Sequence, residues 1–200
     1  TTFFNLVSGL LPPTSGTLTL DGHEITGAAP YERTRLGVAR TFQNIRMFSD
    51  MTVVENVEAG ALAHGHGLRE ARARAEALLD EFGLGARADD LGGNLSYGDK
   101  RRVEIARALA ADPSFLMLDE PAAGMNEAET ETLLHKLSAL PKDRGLGLLI
   151  IDHDMGLIMR LCDRLHVLAF GRTIAEGKAA DIRNDPAVIE AYLGSEAAHA

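Results

Sequence analysis

The sequence predicts an α/β fold: a mainly parallel sheet covered by helices, with a helical subdomain set into it. Three observations carry this reading. From residue 111 onward short apolar runs alternate with helical periodicity, giving strands over 115–118, 148–151 and 165–170 and helices over 127–140 and 155–161. Residues 52–111 are helical in pattern with little strand signal. The composition is that of an ordinary soluble globular protein, 46% hydrophobic and 5% aromatic, with no Trp.

Residues 1–8 read as a helix closed by Gly9, and Pro12, Pro13, Thr14, Ser15 and Gly16 form a turn cluster. Thr17, Leu18, Thr19 and Leu20 alternate as a strand, Asp21-Gly22 is a hairpin signal, and Glu24, Ile25 and Thr26 return antiparallel. Residues 30–36 suit a short helix ending at Gly37, and 38–42 a strand running into Gln43. Val53 to Val57 opens a further helix, and 68–82 forms another that Gly83 can cap. His64, Gly65 and His66 between them read as a flexible polar loop, because no third ligand completes a metal set. A helix is expected from about residue 100 to 111, and Asn126 with Glu129 is a helix-start signature. Residues 195–200 read as a frayed tail.

The formal charge of −9 argues against broad binding to nucleic-acid backbone, which needs a basic face. Lys100, Arg101 and Arg102 form a local basic run that suits a solvated helix face. The single cysteine, Cys162, precludes an intrachain disulfide, points to a reducing compartment and suits a core position. No stretch approaches the ~20 apolar residues of a membrane span. There is no signal-peptide pattern, and the first residue is not Met.

Chemistry concentrates in a few places. The apolar run Phe115-Leu116-Met117-Leu118 ends in Asp119 and Glu120 before Pro121, so a buried strand would hold two carboxylates at the sheet rim. Asp119 would hold Mg²⁺ and Glu120 polarise an attacking water; a plain strand terminus is the alternative. Leu95-Ser96-Tyr97-Gly98-Asp99 leads into a helix whose free N–H groups and Ser96 hydroxyl would bind an anion, or Ser96 is an ordinary N-cap. His153 follows the apolar strand Leu149-Ile150-Ile151, and Gln43 follows Phe42 with an amide able to reach Mg²⁺ or water.

These motifs together resemble the nucleotide-binding subunit of an ABC transporter, over residues 1–194. The resemblance implies a P-loop NTPase-like ABC ATPase core, binding ATP and Mg²⁺. It makes 95–99 the signature motif, 115–119 the Walker B strand with catalytic Glu120, Gln43 the Q-loop, His153 the switch histidine and Asn126 the D-loop. Thr1 corresponds to the Mg²⁺-binding residue after the Walker A lysine and Thr2 to a second phosphate contact. By the same resemblance the nucleotide contacts are Thr1, Thr2, Ser96, Tyr97, Gly98, Asp99 and Asn126, the metal ligands Thr1, Gln43 and Asp119, and the catalytic residues Glu120, His153 and Gln43. The signature motif of one subunit would close over ATP held by another in a head-to-tail dimer.

Within the family the resemblance is nearest to branched-chain amino acid importers. It is carried by residues 37–46, by Asp119-Glu120-Pro121-Ala122-Ala123-Gly124-Met125-Asn126, and by 174–177 and 190–194. Urea importers and lipopolysaccharide exporters share much of this frame. Tyr97 stands for the commoner glycine and Asp99 for the commoner glutamine, the latter adding a negative charge near the expected phosphate. The Walker A glycines and lysine and the preceding strands are absent, so the chain is expected to begin mid-gene, truncated, and to be marginally stable and inactive alone. A non-catalytic interaction module is the alternative from another class. A DNA-repair or translation ATPase would predict coiled coils or a second cassette, and neither is present.

The expected organisation is one domain: a catalytic core over 1–44 and 113–194, and a helical subdomain over 45–112. Arg46, Met47 and Phe48 form the expected contact with a membrane permease, with packing inside the subdomain as the alternative for Met47 and Phe48. The resemblance implies the cytoplasmic face of a bacterial membrane.

Overall fold

In chain order the computed structural model, which describes residues 2–183 and 185–192, begins with α1 (Thr2–Val7), the hairpin β1 (Thr19–Leu20) and β2 (His23–Glu24), then α2 (Pro30–Arg35) and β3 (Val38–Arg40). Three helices follow, α3 (Val53–His64), α4 (Leu68–Glu81) and α5 (Tyr97–Leu109), then β4 (Phe115–Asp119), α6 (Glu127–Arg144) and β5 (Gly147–Ile151). The remainder is α7 (Met155–Leu161), β6 (Arg164–Ala169), β7 (Arg172–Lys178), α8 (Ala179–Ile182) and α9 (Pro186–Tyr192). The chain divides into two compact units, 1–151 and 152–200.

The first unit is organised around a parallel sheet in the order β3-β4-β5. Phe115 pairs with Val38 on one side and Gly147 on the other, and Asp119 with Ile151. Leu116, Met117 and Leu118 are fully buried, as an apolar run without alternation demands. Val38 and Met117 pack with Phe4 and Ile25, which ties α1 and the first hairpin to the sheet. The Leu148–Ile151 run is only half-buried, against the expectation of a buried strand, because β5 pairs only with β4 among the described residues.

Helices α3, α4 and α5 pack on one another, as the helical periodicity predicts. Gly60 permits the α3–α5 contact: a Cβ there would lie 2.1 Å from the carbonyl oxygen of Arg107. Helix α3 starts at a capping box of Thr52 and Glu55 and stops at Gly65, in the left-handed conformation at φ 108°. His66 lies in the expected loop between α3 and α4, and its ring meets Glu70 at 2.9 Å and Asp112 at 3.5 Å, while His64 is the last residue of α3. Helix α6 begins at its predicted Asn126 cap but runs past Pro141 to Arg144, where Gly145 turns the chain at φ 65°. Helix α5 begins three residues earlier than the pattern predicts, because Ser96 caps it directly.

The second unit is built on the β6-β7 hairpin, with α8 and α9 packed against β7. Strand β6 alternates buried and exposed residues. Phe170 and Gly171 turn the hairpin, both at positive φ, 49° and 77°. Sequence pattern misses β7, α8 and α9, since Ile174 and Ala175 are adjacent and break the period-two signal. Cys162, expected in a core, is half-buried, and burial pushes its thiol up. Residues 195–200, expected as a frayed tail, lie outside the described residues.

Arg33 is 2% exposed and draws α1 and α2 together. Its guanidinium donates to the carbonyls of Leu6 at 2.7 Å, Val7 at 2.8 Å, Thr26 at 2.8 Å and Ala28 at 2.9 Å. The first two lie at the C-terminal end of α1, where the helix dipole favours a cation; the Leu6 carbonyl also accepts from Gly9 N–H at 3.2 Å. Arg33→Met is expected to lower the unfolding free energy by about 3 kcal/mol, because four partly buried carbonyls lose the Arg33 donor at once. Urea denaturation of the two proteins checks this.

Candidate functional site

The rim of the central sheet is formed where β3 and β4 end. Asp119, the last residue of β4, is 2% exposed. Its Oδ2 lies 3.4 Å from Arg40 Nη2, and its N–H donates to Thr41 Oγ1 at 3.4 Å. Arg40 Nη1 also donates to Asn5 Oδ1 at 2.6 Å and Ser8 Oγ at 3.1 Å, so one guanidinium links the Asp119 carboxylate to α1. Burial pulls the Arg40 guanidinium down while Asp119 holds it up. No periodicity or motif singles out Arg40; its role depends on strand register.

Glu120 leaves the sheet in an unusual conformation. Its φ is 47°, a left-handed value that a branched or long side chain adopts at a cost of about 1–2 kcal/mol. The strand pairing over-determines it, since Glu120 N–H donates to the Ile151 carbonyl at 2.8 Å. The backbone is thereby bent at Glu120, directly after Asp119 ends β4.

The start of α5 is the second part. Ser96 is exposed and its hydroxyl accepts from Asp99 N–H at 3.1 Å, an N-cap as well as a surface hydroxyl. Gly98 is buried, and a Cβ on it would lie 2.8 Å from Glu129 Oε1. Gly124, at φ 75°, lies against the Tyr97 ring, which an added Cβ would approach to 3.0 Å. The residues 95–99 and 124–129 are thus neighbours, with Asn126 exposed at the head of α6. Asn126 Oδ1 accepts from Glu129 N–H at 3.0 Å, and Glu129 returns the bond to Asn126 N–H at 3.0 Å.

Asp99 departs from the expectation of a charge beside the phosphate. Its Oδ2 accepts from Arg87 at 2.7 Å and its Oδ1 from Arg102, within the helical layer. Two guanidinium groups therefore neutralise it. Of the basic run read as a solvated face, Arg101 is instead fully buried, while Arg102 is half-buried and also donates to the Phe82 carbonyl at 2.9 Å.

Gln43 is exposed just after β3, and its carbonyl accepts from Arg101 at 3.0 Å. Burial pushes the Glu104 carboxyl beside it up, against the pull of Arg101 and of the Arg46 and Phe42 N–H groups. Arg46 is exposed and its guanidinium covers the Phe42 ring at 4.2 Å; Met47 is half-buried and Phe48 is 51% exposed. Thr2 is exposed at the start of α1, and Thr1 lies outside the described residues. His153 belongs to the second unit, where it is exposed, 3.7 Å from Asp152. Asp152 accepts from Asp154 N–H at 2.9 Å, and Asp154 caps α7, so His153 sits in a tight turn.

Among the described residues no group of three or more His, Cys, Asp or Glu could hold a metal by itself. One buried carboxylate and a carboxamide suit Mg²⁺, which keeps its waters and takes one or two protein oxygens alongside phosphate. They do not suit zinc or calcium.

The ABC transporter family model matches residues 1–123, more than half of the chain. This chain belongs to the ABC transporter ATP-binding family, and it is an ABC-type ATPase. A second model, the branched-chain amino acid ATP-binding cassette transporter, matches residues 172–198. The high-affinity branched-chain amino acid transport ATP-binding protein LivG of Escherichia coli strain K12 is 42% identical, over 97% of this chain and 82% of its own length. BraF of Pseudomonas aeruginosa, of the same description, is 41% identical with the same coverage. Among solved structures, the ADP conformation of MJ1267, an ATP-binding cassette of an ABC transporter, superposes with a TM-score of 0.84 at 30% identity, covering 96% of this chain and 82% of that one. A dimeric post-hydrolysis state of the cassette MJ0796, bound to ADP and Pi, has a TM-score of 0.79 at 26% identity, covering 89% and 79%.

Two outcomes follow from the geometry. Glu120→Gly is expected to raise the unfolding free energy by about 1 kcal/mol, through relief of the left-handed backbone, whereas Glu120→Ala gives no such gain. Asp99→Asn is expected to lower it by about 1 kcal/mol, since a neutral amide replaces the charge-assisted acceptor of Arg87 and Arg102. Chemical denaturation midpoints measure both.

Proposed function

We propose that this ATPase couples ATP hydrolysis to import of branched-chain or related amino acids through a membrane permease. The supporting observation is buried Asp119 at the end of β4 with strained Glu120 next to it, and exposed Gln43 shortly after the neighbouring strand β3, on a chain whose relatives are branched-chain amino acid transport proteins. Asp119 and Gln43, with Thr1, would hold Mg²⁺, which neutralises phosphate charge when bound. Glu120 orients the attacking water and takes up its proton. His153 contacts the transferred phosphate and Gln43 also senses it.

Ser96, Tyr97, Gly98 and Asp99 would face nucleotide bound by a second ATPase subunit in a head-to-tail dimer. Ser96 and the first N–H groups of α5 offer the anion-binding end of a helix, with the Asp99 charge already neutralised. Asn126 keeps hydrogen-bonding capacity at that interface, and Thr2 is a further phosphate contact. Residues 45–112 act as the helical subdomain, with 1–44 and 113–194 as the catalytic core. The exposed Phe48 ring, with Arg46 and Met47, is the permease contact; an exposed aromatic beside the Q-loop is otherwise a solvent liability. Among the described residues no helix is long and apolar enough to cross a membrane. The proposed location is the cytoplasmic face of the membrane, held there by that contact.

Glu120→Gln in the assembled transporter is expected to lower the ATP turnover rate by about 100-fold or more with ATP affinity within a few-fold of the parent, since the loss falls on the chemical step. Steady-state hydrolysis and calorimetry separate the two quantities, and an unchanged rate would remove Glu120 from its role. Phe48→Ala, folded by circular dichroism, is expected to lose permease binding in a pull-down with the membrane subunits.

A further inference from the structure

Asp119 is 2% exposed, and among the described residues the side chain bonded to its carboxylate is that of Arg40, with Nη2 3.4 Å from Oδ2. Arg40 is itself tightly held. Its side chain is 7% exposed, and Nη1 donates to Asn5 Oδ1 at 2.6 Å and to Ser8 Oγ at 3.1 Å. The guanidinium also lies over the rings of Phe4 at 5.4 Å and Phe42 at 4.9 Å. Its Nε is buried with no hydrogen-bond partner among the described residues, which costs free energy. The group is therefore placed by what its terminal nitrogens hold: the Asp119 carboxylate on one side and the end of α1 on the other.

A cation shielded from water is poorly screened, and at this range its field on the carboxylate is strong. The pairing spares Asp119 the cost of an unpaired buried charge. It also offsets the negative charge that would attract a divalent ion. The other side chains proposed to hold the metal, Gln43 and Thr1, are neutral. A bare ion is thus offered little net charge and must approach a guanidinium, which repels it. An ion that arrives on nucleotide phosphate brings negative charge with it, and the same guanidinium attracts that charge.

We propose that Arg40 holds down the affinity of the Asp119 site for free divalent cation, so that metal is admitted together with phosphate. Arg40 is a positioning residue, acting through the charge and placement of Asp119. The admission of metal with phosphate rests on the function proposed above; the refusal of free cation rests on the buried ion pair.

The test uses this chain without nucleotide and Mn²⁺ as the probe, read by paramagnetic broadening of the Thr41 and Glu120 amides beside Asp119. A wrong ATPase assignment, which the hydrolysis rate of Glu120→Gln would expose, therefore leaves its result standing. Arg40→Met is expected to lower the Mn²⁺ concentration at half-broadening by about tenfold or more, because the opposing charge is gone. Arg40→Lys keeps a charge there without the planar fork and is expected to stay within about threefold of the parent. The gain in Arg40→Met is expected to vanish when Asp119→Asn is added. No gain in Arg40→Met, an equal gain in Arg40→Lys, or a gain that survives Asp119→Asn would overturn the proposal. Arg40→Gln, which keeps an amide donor for Asn5 and Ser8, replaces Arg40→Met where that variant fails to fold, with the same gain expected.

Discussion

Buried backbone must find hydrogen-bond partners, and in this protein that requirement decides where everything else can be. Strand β4 is buried over Leu116, Met117 and Leu118 and is satisfied only by a neighbour on each side. Pairing to β3 brings Arg40 and Thr41 beside Asp119, and pairing to β5 carries on to the Glu120 N–H. The two carboxylates of the candidate site therefore inherit their positions from the ladder. The left-handed backbone of Glu120 is held by the same bonds, so strain that would relax in an isolated loop persists here.

The same requirement operates where no ladder exists. Residues 42–51 have irregular backbone, and Arg101, Glu104, Arg107 and Asn56 supply partners for residues 42, 43, 46 and 48 from two helices, while the Ser49 and Met51 carbonyls accept from Gly93 and Gly92 N–H. A loop held this way is fixed by side chains of the helices rather than by a sheet ladder. It carries Gln43 and Phe48, both exposed.

Buried charge is handled locally throughout. Arg33 is compensated by four carbonyls, Arg101 by Glu104 and two carbonyls, and Asp99 by two arginines. Low dielectric makes each of these interactions strong and each unpaired member costly. The start of α5 is thus left with a neutralised first turn and an exposed hydroxyl, the combination an anion needs.

Much of this was legible in the residues alone. Period-two and period-3.6 patterns gave the strands and helices from 38 to 169, and Asn126 with Glu129 marked the head of α6, because these signals arise from contacts a few residues apart. The run ending in Asp119 and Glu120 was readable for the same reason: a strand buried on both faces needs continuous apolar residues. Other features were not readable. The start of α5 at Tyr97 and the half-burial of β5 depend on what packs alongside, and β7 has no alternation to announce it. The partners of Asp99, Arg40 and Arg101 lie between 3 and 79 residues away in the chain, so only the folded structure could choose them. Local sequence determined most of the elements that form and the chemistry they carry; tertiary structure decided which charges are neutralised and which segments are bonded to one another, because those depend on distances between groups that the chain alone does not fix.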